Sequence, residues 1–262
     1  MVDKDFGATI EVVAPGAAGP LAVRGEPDEL DAAQELRPDE LVIPQVKLVQ
    51  GVSRDADSRQ AGSFYNTITK EYTSELRVAV LALSRSRSLF VSDKFSDPPV
   101  CVSDDGNKPR EQVKVADAVS ELMTGPTCKV CWASQWGTAR QGMGKGQACR
   151  FSYNLLCMDP VDEMPFLLRV SGTSISPFAE YATVLRLRKM PFYSVETIIG
   201  AGQEIFEAGK AWVLTFGRGA PLPPDFVETM RNQAAAYRGL RIAADEGMEP
   251  EGAEPEPEDI PF

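Results

Sequence analysis

From Leu41 onward, apolar residues recur mostly at the two-residue spacing of half-buried strands. "LVIPQVKLVQG" sets Val, Ile and Leu close together, with Pro44 marking an edge or a bulge. "GSFYNTITKEYTSELRVAVLALSRSRSLFVSDKF" reads as several strands, with Val78 to Leu83 a buried one and "RSLFV" another. "MPFLLRVSG", "YSVETIIGAG" and "KAWVLTFGRG" read as three more. Two stretches break this pattern. "SISPFAEYATVLRLRKMPF" is expected to be a helix, with Ser176 as its cap, Pro177 in its first turn and Pro191 just past its end. "DFVETMRNQAAAYRGLRIAA" is expected to close the ordered part as an amphipathic helix. Many strands with one mid-chain and one terminal helix predict a mainly β protein with some α. The preferred form is an OB-fold-like antiparallel β-barrel with a cysteine-rich insert, although strand counting alone does not separate it from other barrels.

The two ends differ from this body. Residues 1–40 are rich in Ala, Gly, Pro, Asp and Glu and carry ten acidic against three basic residues. They are expected to be a disordered acidic arm, with a short helix near "PDELDAAQEL". Residues 244–262 carry eight acidic residues and no basic one, and are expected to be a disordered acidic tail. The formal net charge of −11 therefore resides in the ends, leaving residues 41–243 mildly basic. Such a body suits an anionic ligand, with the tails for regulation or partner binding; solubilising ends on a near-neutral protein are the plainer alternative. The longest purely apolar run, Val78 to Leu83, is far too short to span a membrane. "MVDKDFG" lacks the basic start and apolar stretch of a signal peptide, so a soluble cytosolic protein is expected.

The chain contains no histidine, which excludes Ser-His-Asp and Cys-His nucleophiles and any His-ligated metal. All five cysteines fall within residues 101–157. Cys128 and Cys131 form a C-x-x-C pair that can grip one tetrahedral zinc. With Cys101 and Cys149 they would complete a closed, structural four-thiolate site in an insert over residues 100–157. Cys157, in the apolar "YNLLCMD", reads as a core residue. Chance thiols in a reducing compartment are the alternative for the cluster; a redox C-x-x-C lacks the strand–helix context it needs.

Around these cysteines stand Lys129, Trp132, Trp136, Arg140, Lys145, Arg150, Phe151 and Tyr153. Aromatic faces stack bases and cations track phosphates, a mixture suited to single-stranded nucleic acid. The alternative is that Trp132 and Trp136 pack over the metal loop. In "SRSRS", Arg85 and Arg87 fall on one face of a strand and form a candidate phosphate track, against the alternative of a solvated face. Asp104 and Asp105 in "SDDG" raise the idea of a metal-dependent nuclease; a turn in the cysteine loop is the stronger reading, and no second carboxylate motif accompanies them.

Two resemblances extend this picture. "EDIPF" at the chain end resembles the extreme C-terminus of bacterial single-stranded DNA-binding proteins. That resemblance implies that Asp259, Ile260, Pro261 and Phe262 dock onto replication and recombination partners, with Phe262 in an apolar pocket and its carboxylate on a basic residue. "GSFYNTITKE", "CVSDDG", "CKVCWASQWG", "GKGQAC" and "LLRVSGTSISPFAEY" together resemble bacteriophage single-stranded DNA-binding proteins with a zinc ribbon set into an OB-type domain. This implies structural zinc on Cys101, Cys128, Cys131 and Cys149, and leaves Cys157 unplaced.

The expected organisation is an arm (1–40), a DNA-binding domain (41–243) containing the zinc insert (100–157), and a tail (244–262). The expected function is non-enzymatic: sequence-independent coating and protection of single-stranded DNA in phage replication and recombination, with partner recruitment through the tip. No membrane partner is expected, and a homo-oligomer is compatible with the sequence. The alternatives are a recombination mediator or annealing protein, a zinc-containing nuclease, and a structural protein that binds no DNA.

Overall fold

A computed structural model describes residues 43–51, 60–90, 99–110, 127–139, 146–206 and 209–236. Among them nine strands form one curled sheet: β1 (Gln45–Leu48), β2 (Phe64–Asn66), β3 (Tyr72–Thr73), β4 (Leu76–Leu89), β5 (Cys101–Ser103), β6 (Cys149–Met158), β7 (Pro165–Ser171), β8 (Val195–Phe206) and β9 (Gly209–Pro221). The described residues also form two α-helices, α1 (Ile175–Leu187) and α2 (Pro224–Ala236). The order across the sheet is β3-β2-β1-β7-β6-β4-β8-β9, with β5 also paired to β4. The β1–β7 pair is parallel and the other pairs are antiparallel. No helix among the described residues is long and apolar enough to cross a membrane. The expectations for residues 1–40 and 244–262 lie outside the described residues.

β4 is the spine. Where the hydrophobic pattern predicts a buried strand and a separate "RSLFV" strand, β4 runs unbroken for 14 residues. No glycine or proline interrupts it, and β6 pairs with it from Ala79 to Leu89. One irregularity matters: Val80 faces Cys157 while Ala82 faces Leu156, so Leu81 is an extra residue. Before this bulge, Leu76, Val78 and Val80 point into the main core with Leu155, Cys157, Leu168 and Phe178. Ala79 and Leu81 point to the outer face, where Phe226 and Met230 of α2 cover them. After the bulge the parity is reversed, so odd-numbered residues of β4 join the concave face.

The curl brings the two ends of the sheet together. Gln50, two residues past β1, donates from Nε2 to the Trp212 carbonyl at 2.9 Å and accepts the Trp212 N–H at Oε1 at 3.0 Å. One side-chain amide thus satisfies both backbone groups of a residue on the edge strand β9. Ser174 Oγ accepts the Leu214 N–H further along that edge at 2.9 Å. α1 packs its Phe178 against Tyr153 and Phe216, with ring centroids 5.1 and 5.3 Å apart. The helix starts a residue before the expected Ser176 cap; Ser174 holds the cap position, and its hydroxyl serves β9 instead of the helix. Pro191 does follow the end of α1, after Lys189 turns the chain at a φ of 56°.

Gly62 closes against Trp212. It has a φ of 86°, and a Cβ there would lie 2.6 Å from two carbons of the indole. Gly62→Ala combines left-handed strain with overpacking and is expected to cost about 3 kcal/mol. Thermal melting should show a midpoint roughly 10 °C lower, at about 2–4 °C per kcal/mol for a chain of this size. An unchanged midpoint would mean that the Gln50–Trp212 closure does not persist in solution.

Candidate nucleic-acid interface

The reversed parity of β4 builds an ordered row on the concave face. Across the β4–β6 ladder, Leu83 faces Leu155, Arg85 faces Tyr153, Arg87 faces Phe151 and Leu89 faces Cys149. Paired residues share a face, so two arginine–aromatic rungs lie between the buried core and a thiol cluster. The Arg85 guanidinium stands 6.0 Å from the Tyr153 ring centroid and that of Arg87 5.1 Å from Phe151. Phe151 and Tyr153 meet edge to face at 4.9 Å. Arg85 is exposed; Arg87, Phe151 and Tyr153 are half-buried. Aromatic faces held beside cations in a concavity are what stacked bases and their phosphates require.

The cysteines lie at the far end of this row. Cys101 opens β5 and Cys149 opens β6, and both pair with Leu89 from its two sides. Cys128 and Cys131 come on a tight turn that folds over them. The Ser134 hydroxyl donates to the Cys128 and Cys131 carbonyls, and Gln135 Nε2 donates to the Lys129 carbonyl at 3.0 Å. The Cys128 N–H reaches the Asn107 carbonyl at 2.8 Å, tying this turn to the loop after β5. The four thiols line one cavity of about 20 Å³, with Leu89, Pro109, Ala133 and Ser134 among its walls. Burial pushes the Cys149 thiol up to about 12; the Arg87 charge and hydrogen bond lower it, and Cys101 and Cys128 raise it. Among the described residues, no group of three or more Cys, Asp or Glu stands already disposed to hold a metal ion. A zinc ion held there would take four thiolates at ~2.3 Å each. The donor set, four thiols with no histidine or carboxylate in the cavity wall, suits zinc. Cys157 is fully buried in the main core, where burial raises its thiol far above the usual range.

The other candidates divide. Trp136 is 79% exposed and Trp132 43%, so neither is buried over the cysteine turn. Lys129 is exposed beside them. Arg150 alternates onto the convex face, opposite Ser88, and does not join the Arg85–Arg87 row. Arg140 and Lys145, like Asp259, Ile260, Pro261 and Phe262 of the tip, lie outside the described residues. Asp104 forms a two-bond ion pair with Arg110, and Asp105 Oδ1 accepts the N–H groups of Asn107 and Lys108 at 2.7 and 2.9 Å. Both carboxylates thus hold the loop. Leu83, expected from sequence to belong to a buried strand, is instead 41% exposed next to Arg85 on the same face, because the bulge that places it there leaves no local signature.

No protein-family model, no curated protein and no solved structure matches this chain. The functional reading therefore rests on the chain's own residues.

Proposed function

We propose that this protein is a non-enzymatic, sequence-independent single-stranded DNA-binding protein. Its domain would be an OB-like barrel whose zinc insert, on Cys101, Cys128, Cys131 and Cys149, stiffens one end of the binding face. The observation that carries this reading is the pair of cross-strand rungs, Arg85 on Tyr153 and Arg87 on Phe151, on a concave face. Exposed Lys129, Trp132 and Trp136 extend the same mixture beyond the thiol cluster. The acidic end with its Asp259-Ile260-Pro261-Phe262 tip supports partner recruitment in phage replication or recombination. Engagement of Asp104 and Asp105 within their own loop favours binding over cleavage.

The direct test is titration of fluorescently labelled poly-dT at two salt concentrations, with a duplex of equal length as control. Tight binding to the single strand that weakens as salt rises, with weak duplex binding, is the expected result, because phosphate neutralisation releases counterions while stacking needs unpaired bases. Equal affinity for both forms would overturn the proposal. Faster annealing of complementary strands under turnover would assign the same face to an annealing protein.

A further inference from the structure

The convex side of the sheet carries a second aromatic and basic row. In β1–β2–β3, Val46, Phe64 and the adjoining Leu48 serve the main core. Strand alternation turns their neighbours the other way. Lys47 pairs with Tyr65, and Tyr65 pairs with Tyr72, so the three form one line across three strands. The two tyrosine rings lie 5.0 Å apart, and Tyr72 is 45% exposed. The turn between β2 and β3 adds a second cation. Asn66 Oδ1 accepts the N–H groups of Ile68 and Thr69, and Lys70 takes a φ of 62°, which sets its Nζ 5.9 Å from the Tyr65 ring centroid. Of the nearby carboxylates, Glu75 is engaged by Arg77 at 3.0 Å, and Glu71 sits exposed on the turn.

We propose that Tyr65 and Tyr72, flanked by Lys47 and Lys70, form a second contact for single-stranded DNA on the face of the sheet opposite the Arg85–Phe151 row. The inference rests on the DNA-binding reading above and deepens it. A base stacks on the exposed ring of Tyr72, and the lysines meet the adjoining phosphates. The two contacts lie on opposite faces, so one strand reaches both only by passing around the sheet. A short oligonucleotide occupies the concave face alone; a long one engages both, and the second contact acts through effective concentration.

The test compares labelled dT oligonucleotides of about 8 nucleotides, within the ~4–16 of a single site, and of about 30, well beyond it, on the full chain and on Tyr72→Ala and Tyr72→Phe. Tyr72→Ala is expected to lower long-oligonucleotide affinity about tenfold, within the range for one stacking side chain, while the short one changes less than about twofold. Tyr72→Phe keeps the stacking face and should restore the long-oligonucleotide affinity. Long-oligonucleotide affinity unchanged in Tyr72→Ala, with normal short binding, would overturn the second contact and leave the concave site standing. Equal weakening of both lengths would also overturn it, by assigning Tyr72 to the concave site. If the wild type binds neither length, both readings fall together. Photocrosslinking of a 5-iodouracil-substituted long oligonucleotide to the wild type needs no variant to fold. Adducts on the peptide holding Tyr65 and Tyr72 are expected, and their absence beside adducts on β4 or β6 would refute the contact.

Discussion

Replacing Arg85 and Phe151 together by alanine should weaken binding to single-stranded DNA about a hundredfold at low salt, with little change in thermal stability. The size follows from the loss of one stacking face, worth ~1–3 kcal/mol, and one phosphate contact, at about 1.4 kcal/mol per tenfold in affinity. The pair is chosen to spare the fold. Tyr153 reaches into the core, its ring 5.1 Å from Phe178, so its removal would confound binding with stability. Arg87 also holds Gln147 at 3.2 Å and hydrogen-bonds Cys149, so its removal would disturb the thiol cluster. Arg85 is exposed and Phe151 half-buried, so truncating them leaves no deep cavity. The slope of log affinity against log salt should fall by about 0.7, the value for one lost phosphate contact on a single strand. The two residues occupy neighbouring rungs, so their single effects are not expected to add. A double variant that folds and binds as tightly as the wild type would remove the concave face from the binding site.

Cys128→Ser should abolish zinc binding and release the insert while the curled sheet persists. A structural zinc site is worth about 10–16 kcal/mol to a small domain that it organises, far more than the surrounding contacts supply. Here the cysteine end has its own small cluster, Leu89, Cys101, Ala133 and Cys149, separate from the main core. Loss of the metal should therefore expose the segment around Cys128 and Cys131 to protease and leave β6–β7 and β8–β9 protected. Single-stranded DNA affinity should also fall, because Arg87 links Cys149 to the Phe151 rung. Loading depends on pH in a definite direction. Burial pushes the metal-free Cys149 thiol up to about 12, so it is neutral near pH 7 and zinc must displace its proton. Zinc affinity should fall as pH is lowered, and adding zinc to the stripped protein should release protons to a weak buffer. Metal analysis of the purified wild type that finds no zinc would end this account.

Alternation along "SRSRS" was enough to place Arg85 and Arg87 on one face, and the C-x-x-C spacing enough to pair Cys128 with Cys131 on a turn, because both relations span only a few bonds of local backbone geometry. The apolar surroundings of Cys157 marked it as core for the same reason, and the helical period with Pro191 beyond it located α1. Sequence also marked the acidic ends, since charge is read directly from composition.

Which side of the sheet those local faces joined was decided elsewhere. Without the extra Leu81, Arg85 and Arg87 would stand on the convex side with Ala79; the bulge moves them to the concave side, opposite Tyr153 and Phe151. The same register carries Arg150 away from them, and the β1–β2 and β2–β3 registers bring Lys47, Tyr65 and Tyr72 into line across three strands. Gln50 and Trp212, 162 positions apart, join the ends of the sheet through one side-chain amide that no local pattern announces. Periodicity is a property of one strand and is written in its own residues. Register and closure belong to pairs of strands, are set by the fit of the whole core, and take form only when the chain folds.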